Sequence, residues 1–89
     1  MGPNAPTMYE RWCMAMTEGG IPLDRIVPPS QPGALGRFTA LNEEEFRIAY
    51  RASALVGGRA AHMTFDEYCA DFLRENPFHS LPFDLESVA

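Results

Sequence analysis

Cys13, Cys69, His62 and His79 are the chain's entire supply of thiol and imidazole groups. A structural zinc site needs several such ligands converging, most often from C-x-x-C or H-x3-H spacings that one turn of chain holds together. Neither spacing occurs here. Both cysteines fall on apolar faces of predicted helices, and the two histidines read as turn and tail residues. A Cys–His nucleophile meets the same objection. Cys69 follows Tyr68 on an apolar stripe, where loss of water raises a thiol's pKa and leaves it protonated. The paired carboxylates sit at helix starts, where capping accounts for them. There is no G-x-S-x-G, Walker loop or H-E-x-x-H, and Gly57-Gly58-Arg59 is too short to cradle a phosphate. A pocket of roughly a few hundred cubic ångströms is also hard to enclose in so small a chain. No catalytic residue, cofactor site or metal ligand is expected, and the chain is read as non-enzymatic.

The elements that position these groups announce themselves by their starts. Thr7-Met8-Tyr9-Glu10, Asn42-Glu43-Glu44-Glu45 and Thr64-Phe65-Asp66-Glu67 each place a short polar cap three residues before a Glu. The cap can accept from a free first-turn amide, and the Glu can reach back to the cap's own N–H. Three helices are predicted, over about 7–18, 42–56 and 64–76. In the first, Met8, Trp12 and Met16 recur at helical spacing, and Gly19-Gly20 stops it. In the second, Leu41 and Phe46 stand as a hydrophobic staple. Phe46, Ala49, Tyr50 and Ser53 share one face, and Ile48, Ala52 and Leu55 the next. Glu43 and Arg47 form an i, i+4 pair, while Arg47 and Arg51 share the exposed side. In the third, Phe65, Cys69, Phe72 and Leu73 make an apolar stripe, and Pro77 ends the helix.

Between the first two helices lies a Pro-rich crossing segment, residues 21–36, expected to lie over the helices with a short turn near 23–26. Its Pro29-Ser30-Gln31-Pro32 run is too short to specify a polyproline ligand. After the third helix comes an apolar tail, 78–85, which either folds back or docks on a partner. The fold class is therefore all-α: one compact three-helix domain, residues 1–89.

At 89 residues and 46% hydrophobic content the chain can bury a core. No apolar run approaches the roughly 20 residues of a membrane span. The N-terminus carries no signal-peptide pattern, and Pro6 stands where a myristoylation signal has Ser or Thr. Two cysteines without a secretory signal read as buried free thiols, which places the chain in the cytoplasm. All 7 cations are Arg, against 12 acids and a net charge of −5. The imbalance lies in residues 64–89, where Arg74 is the single cation. Such a surface repels nucleic acid and favours basic partners.

Residues 37–76 also read as strand, helix, turn, helix, since Arg37, Thr39 and Leu41 alternate with Phe38 and Ala40. This order resembles the ribbon-helix-helix repressors and antitoxins. The resemblance implies a homodimer that lays paired strands in the major groove, with Arg37 and Thr39 reading bases and the start of the last helix, at Thr64 and Phe65, meeting phosphate.

The leading expectation is instead a small protein–protein interaction module, an adaptor, accessory or inhibitor protein, as monomer or homodimer. Two surfaces are candidates. An acidic face of Asp66, Asp71 and Glu75, with Asp84 and Glu86 nearby, would steer a basic protein partner. The tail aromatics Phe78 and Phe83 would anchor in a partner's pocket.

Overall fold

The computed structural model describes residues 6–31 and 33–84. It holds three α-helices, α1 (Met8–Gly19), α2 (Glu43–Leu55) and α3 (Phe65–Glu75), with one-turn 3-10 segments at Leu23–Arg25 and Arg59–His62. The all-α, three-helix fold class is the one expected, with helix ends within two residues of the predicted ones. None of the helices is long and apolar enough to cross a membrane.

Thr7 and Thr64 both close reciprocal capping boxes. The Glu10 N–H donates to Thr7 Oγ1 at 3.1 Å and the Thr7 N–H to Glu10 Oε1 at 2.8 Å, with the same distances at Thr64 and Glu67. Asn42 forms only half of its predicted box. Its side chain accepts from the Glu45 N–H, but the Glu45 carboxylate turns away from Asn42. It takes the Leu41 N–H at 2.9 Å and both Arg25 guanidinium nitrogens at 2.8 Å. A charged, bidentate partner outcompetes a neutral amide for the same oxygens. That clamp fastens the crossing segment to the start of α2, and its Arg25 Nη2 also donates to the Thr39 carbonyl at 2.6 Å. The Leu41–Phe46 staple does not form, since Leu41 is 67% exposed.

The core lies between α1 and α2. Trp12, Cys13 and Met16 from α1 meet Ile48, Ala49 and Ala52 from α2, with Ile21 and Ile26 of the crossing segment filling one side. Gly20, at φ 112°, ends α1 in the left-handed conformation, with its N–H on the Met16 and Thr17 carbonyls. Gly36 lets the returning chain press onto α1: a Cβ there would meet the Val27 carbonyl oxygen at 2.6 Å and Trp12 Cζ3 at 3.0 Å.

A second packing centre joins α3 to α2. Phe46 is ringed by Phe65, Tyr68, Phe72 and Phe83 at centroid distances of 5.3–6.0 Å, several of them edge-on. Edge-to-face pairs suit the aromatic quadrupole and add about 0.5–1.5 kcal/mol each beyond area burial. The Tyr50 hydroxyl donates to the Met63 carbonyl at 2.6 Å and ties α2 to the chain entering α3. Two side chains of α2 depart from expectation. Leu55 is 73% exposed at the helix end. Arg47 does not stand free beside Arg51 but lies over the Phe65 ring at 3.9 Å while pairing with Glu43, because its long stem covers apolar surface as its charge stays wet.

The strand expected at about 37–41 does not form among the described residues. A single antiparallel bridge joins Val27 to Arg37, closed by two hydrogen bonds of 2.7 and 2.9 Å.

Candidate interaction surface

α3 carries the acidic residues expected to face a partner, and the structure separates them. Asp71 is buried, not displayed. It accepts from Arg59 at 2.6 Å and from Arg74 at 2.7 Å, and its side chain is 12% exposed. Its position on the inner side of α3, facing the Arg59–His62 turn, removes it from the solvent face. Burial raises its pKa, and the hydrogen bonds from Arg74 and Arg59 outweigh that and leave it below the ordinary carboxylate value. Its charge is spent inside the fold. Asp66, in the first turn of α3, is half-buried, and Glu75, at the other end, is exposed. Asp84 is exposed. Glu86 lies outside the described residues.

The two tail aromatics also part company. Phe83 stacks on Phe65 at 6.0 Å and tilts against Phe46 at 5.7 Å, so the tail as far as Phe83 folds back over α2 and α3. Phe78 is 98% exposed. Leu85, the last residue of the expected tail, lies outside the described residues.

Phe78 stands at the lip of an open groove of about 1440 Å3. Phe46 and Ala49 of α2 form its apolar floor. One wall is the chain from Gly33 to Ala40, and the other is the C-terminal half of α3 with the start of the tail, including Phe72 and Glu75. Neither wall was legible as such in the sequence. A groove arises from the distance at which the loop and α3 flank α2, and periodicity within one element does not report that. The clue available was the alternation over residues 37–41.

Among the described residues, no three His, Cys, Asp or Glu side chains come together as metal ligands. Cys13 and Cys69 are both buried free thiols, and burial pushes Cys69 up to about 11, so it stays protonated. His62 and His79 are exposed and lie in separate segments. Arg37 and Thr39, the residues for which the strand resemblance implies base contacts, are both exposed on the groove wall, and Arg37 makes no ion pair among the described residues. Comparison of the chain with protein-family models, with curated proteins and with solved structures finds no match.

Proposed function

We propose that this chain is a non-catalytic protein-interaction module that engages its partner along the groove over α2. One observation carries this reading. A fully exposed phenylalanine, Phe78, stands beside a concave, apolar-floored surface that the described residues leave open. Exposed aromatics at the edge of concave sites are the residue type that anchors interfaces, since a ring buries a large area at small entropic cost. Glu75 on the same wall, with Asp66 further along α3, gives that side an acidic character suited to a partner with a basic patch. The cytoplasm is the compartment consistent with two unpaired buried thiols.

The test compares affinity capture by the wild type, Phe78→Ser and Glu75→Arg, each checked for unchanged helix content. Recovery of a partner that the Phe78→Ser variant loses supports the reading, and a weaker salt dependence in Glu75→Arg supports the acidic wall. Identical recovery by all three refutes it. The dimeric DNA-binding alternative has less support, because the Arg37 backbone is already paired to Val27 within the chain and α3 opens with Asp66 and Glu67.

A further inference from the structure

Residues 37–41 make backbone contacts in an alternating pattern. Arg37 uses both its N–H and its C=O on Val27. The Thr39 C=O accepts from Arg25, and the Leu41 N–H donates to Glu45. All three therefore face the crossing segment and its Arg25–Glu45 clamp. Between them, the N–H and C=O groups of Phe38 and Ala40 have no hydrogen-bond partner among the described residues. Side-chain exposure alternates in the same register. Arg37, Thr39 and Leu41 are exposed, while Phe38 and Ala40 are half-buried. Together these are the marks of extended chain, whose backbone groups point to opposite sides at successive residues. The side toward the crossing segment is bonded at Arg37, the Thr39 C=O and the Leu41 N–H, with the Thr39 N–H and the Leu41 C=O unpaired among the described residues, and the Phe38 and Ala40 side is an open backbone edge throughout. That edge belongs to the wall of the groove, which residues 36–40 line.

From this placement we infer that the groove takes an extended peptide segment of a partner protein, which adds as a strand along the Phe38–Ala40 edge and carries an acidic side chain opposite Arg37. This rests on the interaction reading above and deepens it. An open edge recruits a strand through main-chain hydrogen bonds, and pockets for alternate side chains supply selectivity. Here alternate side chains of the incoming segment fall on the Phe38 and Ala40 side, toward the apolar floor at Phe46 and Ala49. The intervening ones fall beside Arg37 and Thr39. Arg37 is exposed and without an ion-pair partner among the described residues, so a carboxylate opposite it gains a cross-strand pair. A second copy of this chain, paired antiparallel about Phe38, would set Thr39 opposite Arg37 and leave that charge unanswered.

The test is selection of a displayed random peptide library on immobilised wild-type protein and on Arg37→Glu. Synthetic copies of the selected peptides are then titrated into isotope-labelled protein. Wild-type selections are expected to alternate apolar residues with a central Asp or Glu, and the Arg37→Glu selections to replace that acid with Lys or Arg. On binding, the Phe38 and Ala40 amides should exchange about tenfold more slowly, as newly bonded amides do, while the Arg37 amide is protected from the outset. Ala40→Pro removes one pairing N–H and should weaken binding about tenfold with helix content unchanged. Peptides that bind at Phe78 without protecting Phe38 and Ala40 overturn strand addition and leave the interaction module standing. No enriched peptide overturns both. Protection of Phe38 and Ala40 in the free protein, at twice the 9.9 kDa chain mass, assigns the edge to a second copy and overturns the peptide.

Discussion

Phe83 decides whether the tail is part of the domain, and a double-mutant cycle reads its contribution directly. Its ring lies 5.7 Å from Phe46 and 6.0 Å from Phe65. Phe46→Leu and Phe83→Leu each keep a large apolar side chain and remove the ring. At position 46 the loss should be the larger, because Phe46 is 5% exposed and meets four rings. Each lost ring pair removes about 0.5–1.5 kcal/mol, so the four pairs at Phe46 place Phe46→Leu at about 2 kcal/mol or more. Phe83→Leu, half-buried with two ring neighbours, should cost about 1–2 kcal/mol. Their shared pair is one of these interactions, so the double variant should recover about 0.5–1.5 kcal/mol of the summed loss. Urea unfolding followed by far-ultraviolet circular dichroism measures all four corners. A coupling of less than about 0.3 kcal/mol, within the scatter of independent sites, would show that the tail does not rest on Phe46 in solution and would refute the second packing centre as described.

The Arg25–Glu45 clamp predicts a pH signature. Hydrogen bonds from Arg25, and then from the Leu41 amide, hold the Glu45 carboxyl at about 2, below its ordinary 4.5. Its contribution is fully present above pH 4.5 and is lost as the pH falls toward 2. Glu45→Gln should therefore lower the urea midpoint at neutral pH, with the gap closing across that window; a constant gap would contradict the clamp. Cys69, buried and held protonated, should resist iodoacetamide in the folded chain and react once urea unfolds it, as intact mass will show; labelling at the rate of a free thiol would contradict its burial. Gly36→Ala should destabilise by about 1–3 kcal/mol, the cost of forcing atoms into a filled site, because its Cβ meets backbone oxygen and two aromatic rings within 3.0 Å. Unchanged thermal stability would refute the close approach.

Much of the architecture could be read before any coordinates. Short polar caps followed by Glu mark a helix start through local chemistry alone, so Thr7 and Thr64 behaved as their spacing required. Asn42 departed because Arg25, twenty residues before Glu45, claimed the Glu45 carboxylate. Local rules cannot see such a competitor. Asp71 teaches the same lesson at the candidate site. Its helical position allowed an exposed reading, but Arg59 entered from the preceding turn and drew it inward. The tail could not be divided in advance either: Phe78 and Phe83 are chemically equivalent, and only the path of the chain past Pro77 and Pro82 puts one in water and the other against Phe46. Alternation across 37–41 was visible in the sequence, yet which edge stays open depends on Val27 and Arg25 taking the other.

The placement of the lone tryptophan has a practical corollary. Trp12 is buried in the α1–α2 seam with Tyr9 at 6.1 Å, whereas Tyr50 and Tyr68 belong to the aromatic centre under α3. The seam thus holds the one indole and one tyrosine, and the α3 side the other two tyrosines. Indole emission excited at the red edge follows the seam alone, and in a Tyr9→Phe variant the remaining tyrosine ellipticity in the near ultraviolet follows the α3 side, so the pair of signals can reveal whether the two halves melt together.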